Sequence, residues 1–318
     1  MTTRFAPSPT GRLHLGHAMA AWVAHAFARR HGGKFLLRHE DIDATRVREE
    51  FYEGIEEDLR WLGFAWDEPP LRQSTRIAAY ESALRKLHQL GVTYPCFCTR
   101  REIQEGQEKG HRRPASVLPS TSHLSAPHEM EPTYPGTCLH LSSETRARKL
   151  AANLPHSWRL DSRTTRSLAD PLTFTDLLHG VIQVNPDLLS DVVLARKDIG
   201  IAYHLAVVID DAFQEITHVT RGEDLLPSTH VHRLLQQLLH LSEPIYLHHP
   251  LILDESGKRL AKRHDVLSLA ALRESGTTRR EIMERWLQPA SCSIEAVLPA
   301  DASAPIRAIT ASTTSSKV

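Results

Sequence analysis

The sequence predicts an α/β protein: a layered domain on a parallel sheet, with a smaller inserted subdomain and a helical C-terminal stem. Strand-like and helical stretches alternate from the first residues onward, the pattern that builds a parallel sheet with its ligand crevice beyond the carboxyl ends of the strands. The stretch Leu15 to Arg30 is apolar nearly all round (Met19, Ala20, Trp22, Val23, Ala26, Phe27), which suits a helix packed inside such a layer. Midway the alternation gives way to a cysteine-bearing stretch and a long polar segment, where an insertion is expected.

Thr3 to Ala6 reads as a strand, the Pro and Gly residues of PSPTG as a turn, and Leu15 to Arg30 as the first helix. Lys34 to Arg38 is the next strand, ending in the charged cluster Glu40, Asp41 and Asp43. Val47, Phe51, Ile55, Leu59 and Leu62, then Ile77, Tyr80, Leu84 and Leu87, recur at helical spacing and predict two amphipathic helices. Thr93 to Cys98 reads as a short strand, and Glu102 to Pro132, rich in Pro, Ser and His without periodicity, as a mobile insertion. Trp158 to Asp161 and Gly180 to Val184 are strands, and Asp191 to Ala195 opens a second strand and helix region running through Tyr203 to Arg221. Ser228 to Leu241 is helical, Tyr246 to Leu253 a strand, and Ser256 to His264 a charged loop. One more helix is expected beyond Arg279, then a disordered low-complexity tail, Ala300 to Val318, and no repeat is found.

With 318 residues and 41% hydrophobic content, the chain can bury a substantial core. Lys plus Arg and Asp plus Glu both total 38, so no overall positive field attracts nucleic acid, and any RNA contact needs a local basic face. No run reaches the roughly 18 apolar residues of a membrane span, and the first residues lack a signal-peptide layout. A soluble cytoplasmic protein without membrane contact, monomeric by default, is expected. Of four cysteines, Cys96, Cys98 and Cys138 lie near one another and Cys292 stands apart, a layout suited to a metal rather than to disulfides.

The string from Arg4 to His17, RFAPSPTGRLHLGH, is the most informative segment. Gly16 lets a base or ribose approach the backbone, and the helix start that follows offers N–H groups to phosphate. His14 and His17, three apart, share one side of the first turn and can donate hydrogen bonds as charge builds on phosphate oxygens. Far downstream, Ser256 to Arg263 (SGKRLAKR) holds four cations in six residues, a second jaw for a triphosphate whose displacement needs positioning and cations rather than a covalent catalyst.

These two segments resemble the HIGH and KMSKS signatures of class I aminoacyl-tRNA synthetases, and the RFAPSPTG lead is specifically similar to the glutamyl and glutaminyl branch. The resemblance runs over about residues 3 to 270 and implies a Rossmann-like catalytic domain. It aligns Arg259 to Arg263 with the second signature and makes Lys262 the residue that contacts ATP, with Arg259 where Lys is usual and Ala261 where Ser is usual. It further implies that Arg4, Ser8, Glu40, Tyr203 and Arg221 line a glutamate site. Arg221 would pair the substrate's side-chain carboxylate with Arg4 assisting, and Glu40 would hold its amino group, roles that suit a buried arginine and a nearby acid.

Cys96 and Cys98 are two apart on an expected strand and share a face, and Cys138 supplies a third sulfur. For the fourth ligand of one structural zinc, physical chemistry alone nominates a histidine such as His140 before a phenol. Resemblance to short glutamyl synthetase paralogues, with Cys-x-Cys and Tyr-x3-Cys, favours Tyr134 instead.

A full glutamyl-tRNA synthetase would continue on the order of 150 residues further with an anticodon-reading helical domain, whereas this chain stops about 55 residues past Lys262. Truncation and cysteine pattern together resemble the glutamyl-Q tRNA(Asp) synthetase family. Membership implies activation of L-glutamate with Mg-ATP without tRNA, then transfer to queuosine at the wobble position of tRNA(Asp), whose anticodon arm enters the groove. The alternatives are a truncated glutamyl-tRNA synthetase charging a tRNA 3′ end, a non-catalytic glutamate or adenylate sensor, and a small-acid nucleotidyltransferase. The expected division is residues 1–92 and 191–270 for the two catalytic halves, 93–190 for the zinc-bearing insertion, 271–299 for the stem and 300–318 for the tail.

Overall fold

The structure, a computed structural model, describes residues 1–108, 134–165, 171–186, 188–198, 200–252 and 268–287. Strand β1 (Thr2–Phe5) leads through helix α1 (Leu15–Arg30) to β2 (Lys34–His39), parallel to β1 with Thr2 opposite Lys34 and Phe5 opposite Leu37. Helix α2 (Glu49–Leu62) then precedes β3 (Leu71–Arg72), which adds a parallel edge to β2. Buried Tyr52, Ile55, Leu59 and Leu62 recur along one face of α2, as the period requires. That helix ends at Gly63, whose φ of 77° is left-handed and whose Cβ, if present, would lie 2.6 Å from the Arg279 guanidinium carbon.

After helix α3 (Ile77–Gln89) the chain builds a second sheet from β4 (Thr93–Cys96), β5 (Ser157–Leu160), β8 (Val193–Arg196) and β9 (Gly200–Ile201), all antiparallel. Between β4 and β5 lie helices α4 (Arg100–Glu108) and α5 (Ser143–Ala151), and Ser162–Thr165 forms a short α6. β6 (Thr173–Asp176) and β7 (Gly180–Gln183) form a hairpin whose first strand pairs parallel to β11 (Ile245–His249). Helix α7 (Tyr203–Phe213), β10 (His218–Gly222) and α8 (Leu226–Leu239) precede β11 in the chain, with β10 parallel to β11. The stem begins with α9 (Leu269–Glu274), α10 (Arg279–Ile282) and a π-helical turn, Met283–Leu287.

Thr217 joins the two parallel units: its N–H donates to Thr2 O at 3.1 Å, and its carbonyl accepts from Ile245 N at 2.9 Å. β1 therefore has β2 on one flank and β10 on the other. The chain order reverses between β1 and β10, the position where open parallel sheets hold ligands beyond their carboxyl ends. Arg4, Glu40 and Arg221 all lie at those ends. Two apolar layers support them, one around α1 (Leu15, Met19, Phe27, with Leu59 and Leu269) and one around α7 and α8 (Leu205, Val208, Leu234, with Tyr246).

The structure corrects two sequence expectations. Arg100–Glu108 is helical rather than part of an unstructured insertion: Glu102 N donates to Thr99 Oγ1 at 3.2 Å, and Thr99 N donates to the Glu102 carboxylate at 2.7 Å. This reciprocal cap starts a helix that carries no apolar stripe. The strand expected over Thr93 to Cys98 ends at Cys96, so Cys98 reaches its neighbours from the turn beyond. Residues 109–133 of the insertion, the tail at 300–318, and 253–267 with Lys262 lie outside the described residues. Among the described residues no helix is long and apolar enough to cross a membrane.

Candidate active site

The turn after β1 folds over the end of β2 through backbone bonds: Glu40 N donates to Pro7 O at 3.0 Å, and Thr10 N to Ser8 O at 2.8 Å. Ser8 and Glu40 are thereby brought side by side. The turn then delivers His14 as the N-cap of α1. His14 Nδ1 accepts from Gly16 N at 3.1 Å, and His17 Nδ1 accepts from His14 N at 3.3 Å. Both rings use Nδ1 as acceptor, so the proton of each neutral ring sits on Nε2. The rings stack with centroids 3.8 Å apart. A Cβ at Gly16 would lie 3.0 Å from His14 Cε1, so the missing side chain first makes room for the His14 ring, a more immediate need than the approach of a nucleotide.

Lys262 itself is not described, but both flanks of its segment are. Ser268 bridges His14 in the backbone, Leu269 N donates to Leu13 O at 2.8 Å, and Ile252 is buried in the same apolar cluster as Leu13 and Leu15. The chain beyond the basic segment thus runs beside the start of α1.

Beyond the carboxyl ends of β1, β2 and β10 lies a cluster of buried charges. Arg4 Nε donates to Asp211 Oδ1 at 2.9 Å and its Nη1 to Thr220 O at 3.3 Å, while Arg38 Nη1 donates to the same Asp211 oxygen at 2.8 Å. Despite burial, Arg4 and Arg38 hold the Asp211 carboxyl below the usual range. Glu40 lies 3.6 Å from Arg38, and here burial outweighs the attraction of Arg38 and Arg4, so its carboxyl is raised from 4.5 to about 7. Tyr203, at the start of α7, has its phenol raised by burial and feels the charges of Arg221, Glu40 and Arg4. The side chains of Arg4, Glu40, Tyr203 and Arg221 therefore lie close enough to act on one another electrostatically.

Arg221 differs from Arg4 and Arg38. Its Nε donates to His248 Nε2 at 3.1 Å, its Nη1 meets His232 Nδ1 at 3.1 Å and its Nη2 donates to Thr229 Oγ1. The residue is 5% exposed, and among the described residues it contacts no carboxylate. Asp176 enters one step back, on His248 Nδ1 at 2.7 Å. A buried guanidinium among neutral acceptors keeps an uncompensated charge that a carboxylate ligand satisfies.

Sequence reasoning does not reach Asp211, Arg38, His232, His248 or Asp176. One signal exists: Asp210 and Asp211 interrupt the apolar run of α7, AVVIDDAF, and acids rarely occupy such positions unless paired. Asp210 is paired too, with Arg76 at 2.6 Å and Tyr80 at 2.7 Å.

A second cluster lies at the end of β4. The sulfurs of Cys96, Cys98 and Cys138 fall within 4.8 Å of one another. Cys98 Sγ is 3.5 Å from Cys138 Sγ and 3.4 Å from Tyr134 Oη. Those spacings suit one ion, since Zn–S bonds of about 2.3 Å in a tetrahedron separate sulfurs by about 3.8 Å. Hydrogen bonds from Cys138 and Cys98 hold the Cys96 thiol below its ordinary range, and burial raises the Tyr134 phenol. Tyr134 Oη also receives Cys138 N at 2.8 Å, which fixes the phenol against the sulfurs. His140, the rival fourth ligand, is exposed and lies outside the group. The cluster could hold a metal.

Comparison with known proteins agrees with this geometry. Residues 1–290 match the family model described as tRNA synthetases class I (E and Q), catalytic domain. A glutamyl-Q tRNA(Asp) synthetase of Rhodobacter capsulatus is 43% identical over 293 residues, covering 89% of this chain and 98% of that protein. A glutamate–tRNA ligase of Aquifex aeolicus is 39% identical over 274 residues, covering 86% of this chain but 54% of its own length. Among solved structures, a glutamate tRNA ligase from Elizabethkingia meningosepticum in complex with its amino acid superposes with a TM-score of 0.66 at 32% identity, covering 83% of this chain. The chain spans about half, 52%, of that ligase. With its sheet reversal, its capped HLGH turn and a family match over nearly its whole length, the chain belongs to the class I glutamyl and glutaminyl tRNA synthetase family.

Proposed function

We infer that this chain activates L-glutamate with Mg-ATP and transfers the glutamyl group to queuosine at the wobble position of tRNA(Asp). The observation that carries the amino-acid half is Arg221, whose hydrogen-bond acceptors among the described residues are all neutral, with Glu40 acting from another strand end on the same Tyr203. Arg221 receives the side-chain carboxylate, Glu40 the ammonium, and Arg4, Ser8 and Tyr203 complete the wall. In the first step the α-carboxylate attacks the α-phosphorus and pyrophosphate leaves. His14 and His17 donate to the oxygens on which charge builds, Gly16 keeps the turn tight, and Lys262 supplies the opposing cation. In the second step a hydroxyl of the modified nucleoside attacks the mixed anhydride and releases AMP.

The RNA half of the reading is supported by the names of relatives that match nearly end to end, such as the Rhodobacter capsulatus protein. The Aquifex ligase, of which the chain spans 54%, supports the alternative of charging a tRNA 3′ end less well. Cys96, Cys98, Tyr134 and Cys138 would hold one zinc, which pins the insertion to the end of β4 and supplies no chemistry at the reacting atoms. We assign residues 1–92 and 191–270 to the catalytic body, 93–190 to the insertion and 271–299 to the stem, in a cytoplasmic monomer.

The test is glutamate-dependent ATP–pyrophosphate exchange without RNA, followed by transfer of labelled glutamate to tRNA(Asp) with and without queuosine. Exchange without RNA and transfer to the queuosine form alone are expected. Labelling of the 3′ end of tRNA(Glu) would replace the RNA assignment, and absence of exchange would remove the enzymatic reading altogether.

A further inference from the structure

Arginine has only donors, and that fact fixes the tautomers of the two imidazoles that face Arg221. His232 Nδ1 faces Arg221 Nη1 at 3.1 Å and must therefore be the lone pair, so His232 Nε2 carries the proton and donates to His204 Nδ1 at 3.1 Å. His248 Nε2 receives Arg221 Nε, so its proton sits on Nδ1, where Asp176 accepts it at 2.7 Å. Asp176 is itself held by the N–H groups of Leu178 and His179, both at 2.9 Å. His232 and His248 are both neutral in this arrangement. Burial, reinforced by the charge of Arg221, keeps His232 well below its ordinary value, and burial brings His248 to about 4 although Asp176 opposes this.

We propose that His232 and His248 are positioning residues for substrate selection: as neutral acceptors they aim Arg221 without cancelling its charge, so that the pocket takes a carboxylate and refuses the isosteric amide. The proposal rests on the reading of Arg221 as the receptor of the glutamate side chain. Had aspartate or glutamate held the guanidinium, as Asp211 holds Arg4 and Arg38, its charge would be matched within the protein and an amide would fit about as well as a carboxylate. Here the carboxylate that reaches Arg221's partner ring, Asp176, is separated from Arg221 by the width of an imidazole. It orients the ring without touching the cation. Three of the five guanidinium N–H groups are used by His248, His232 and Thr229, which leaves two for a ligand.

The comparison of His232→Asn with His232→Asp tests this, because the two variants are isosteric, both lose the bond to His204 and they differ in charge. In the exchange reaction, His232→Asn should raise the glutamate KM less than about tenfold. His232→Asp should raise it about 100-fold or more by neutralising Arg221, with kcat largely kept. The KM for ATP should stay near the parent value in both, and the preference for glutamate over glutamine should shrink only in the Asp variant. Equal defects in the two variants, or unchanged discrimination in His232→Asp, would overturn the proposal. If His232→Asp does not fold, His248→Gln against His248→Glu makes the same comparison on the other ring. Should Arg221→Gln leave the glutamate KM unmoved, the assignment of Arg221 itself fails, an outcome distinct from equal defects at position 232.

Discussion

Replacing Glu40 by glutamine should stabilise the free protein while damaging its activity. In the ligand-free chain burial lifts the Glu40 carboxyl from 4.5 to about 7 against the pull of Arg38 and Arg4, and its side chain is 9% exposed, so solvent screens little of this. Between pH 4.5 and 7 the unfolded chain has released a proton that the folded chain keeps, so stability falls as pH rises through that window. A rise of about 2.5 at about 1.36 kcal/mol per pH unit makes the ionised carboxylate cost about 3 kcal/mol by pH 8. The neutral amide of the variant carries no such cost. Thermal unfolding followed by circular dichroism should place Glu40→Gln about 6–9 °C above the parent at pH 8, with the gap mostly closed at pH 5. Glutamate KM should rise about 10- to 100-fold, because the substrate ammonium loses a charged partner. A lower melting temperature at pH 8, or a gap that does not narrow toward pH 5, would refute the account of Glu40 as a strained carboxylate held in readiness for an ammonium.

Asp211→Asn should act in the opposite sense, since it removes the carboxylate that Arg4 and Arg38 share and leaves Arg38 only Glu40 at 3.6 Å. A loss of about 3–5 kcal/mol is expected, read from denaturant unfolding. Gly16→Ala puts a methyl 3.0 Å from His14 Cε1, so ATP–pyrophosphate exchange should fall at least about tenfold while the melting temperature moves by no more than about 3 °C. Elemental analysis of the purified chain should find about one zinc, and Cys138→Ser or prolonged chelation should release it and expose the remaining cluster thiols to an aromatic disulfide reagent.

The elements legible in the sequence are those whose signal is local. The boundaries expected for α1, Leu15 to Arg30, are those observed, because the turn residues before it and the apolar run within it lie in one continuous stretch. Helix α4 escapes a reading by periodicity although Thr99 and Glu102 form a reciprocal cap, since its exposed faces give no apolar period. Spacing alone puts Cys98 on a strand, whereas β4 stops at Cys96 and the turn brings the sulfurs together.

The pocket shows what kind of information a single chain conceals. Arg4 and Arg221 both stand in strings that resemble those of the family, and their residue type gives no reason to rank their charges. Their partners decide it: Asp211 lies 207 residues from Arg4, and the acceptors of Arg221 are neutral rings and a hydroxyl drawn from α8 and β11. Residue identity says where a positive charge is, while only tertiary pairing says whether it is already matched. Arg4 is paired with Asp211, which it shares with Arg38, and so holds the end of β1 against α7. Arg221 is not matched within the described residues, so under the function proposed above a carboxylate entering beyond β10 would meet a cation that the fold has aimed but left unneutralised, and glutamate rather than glutamine would complete the pair.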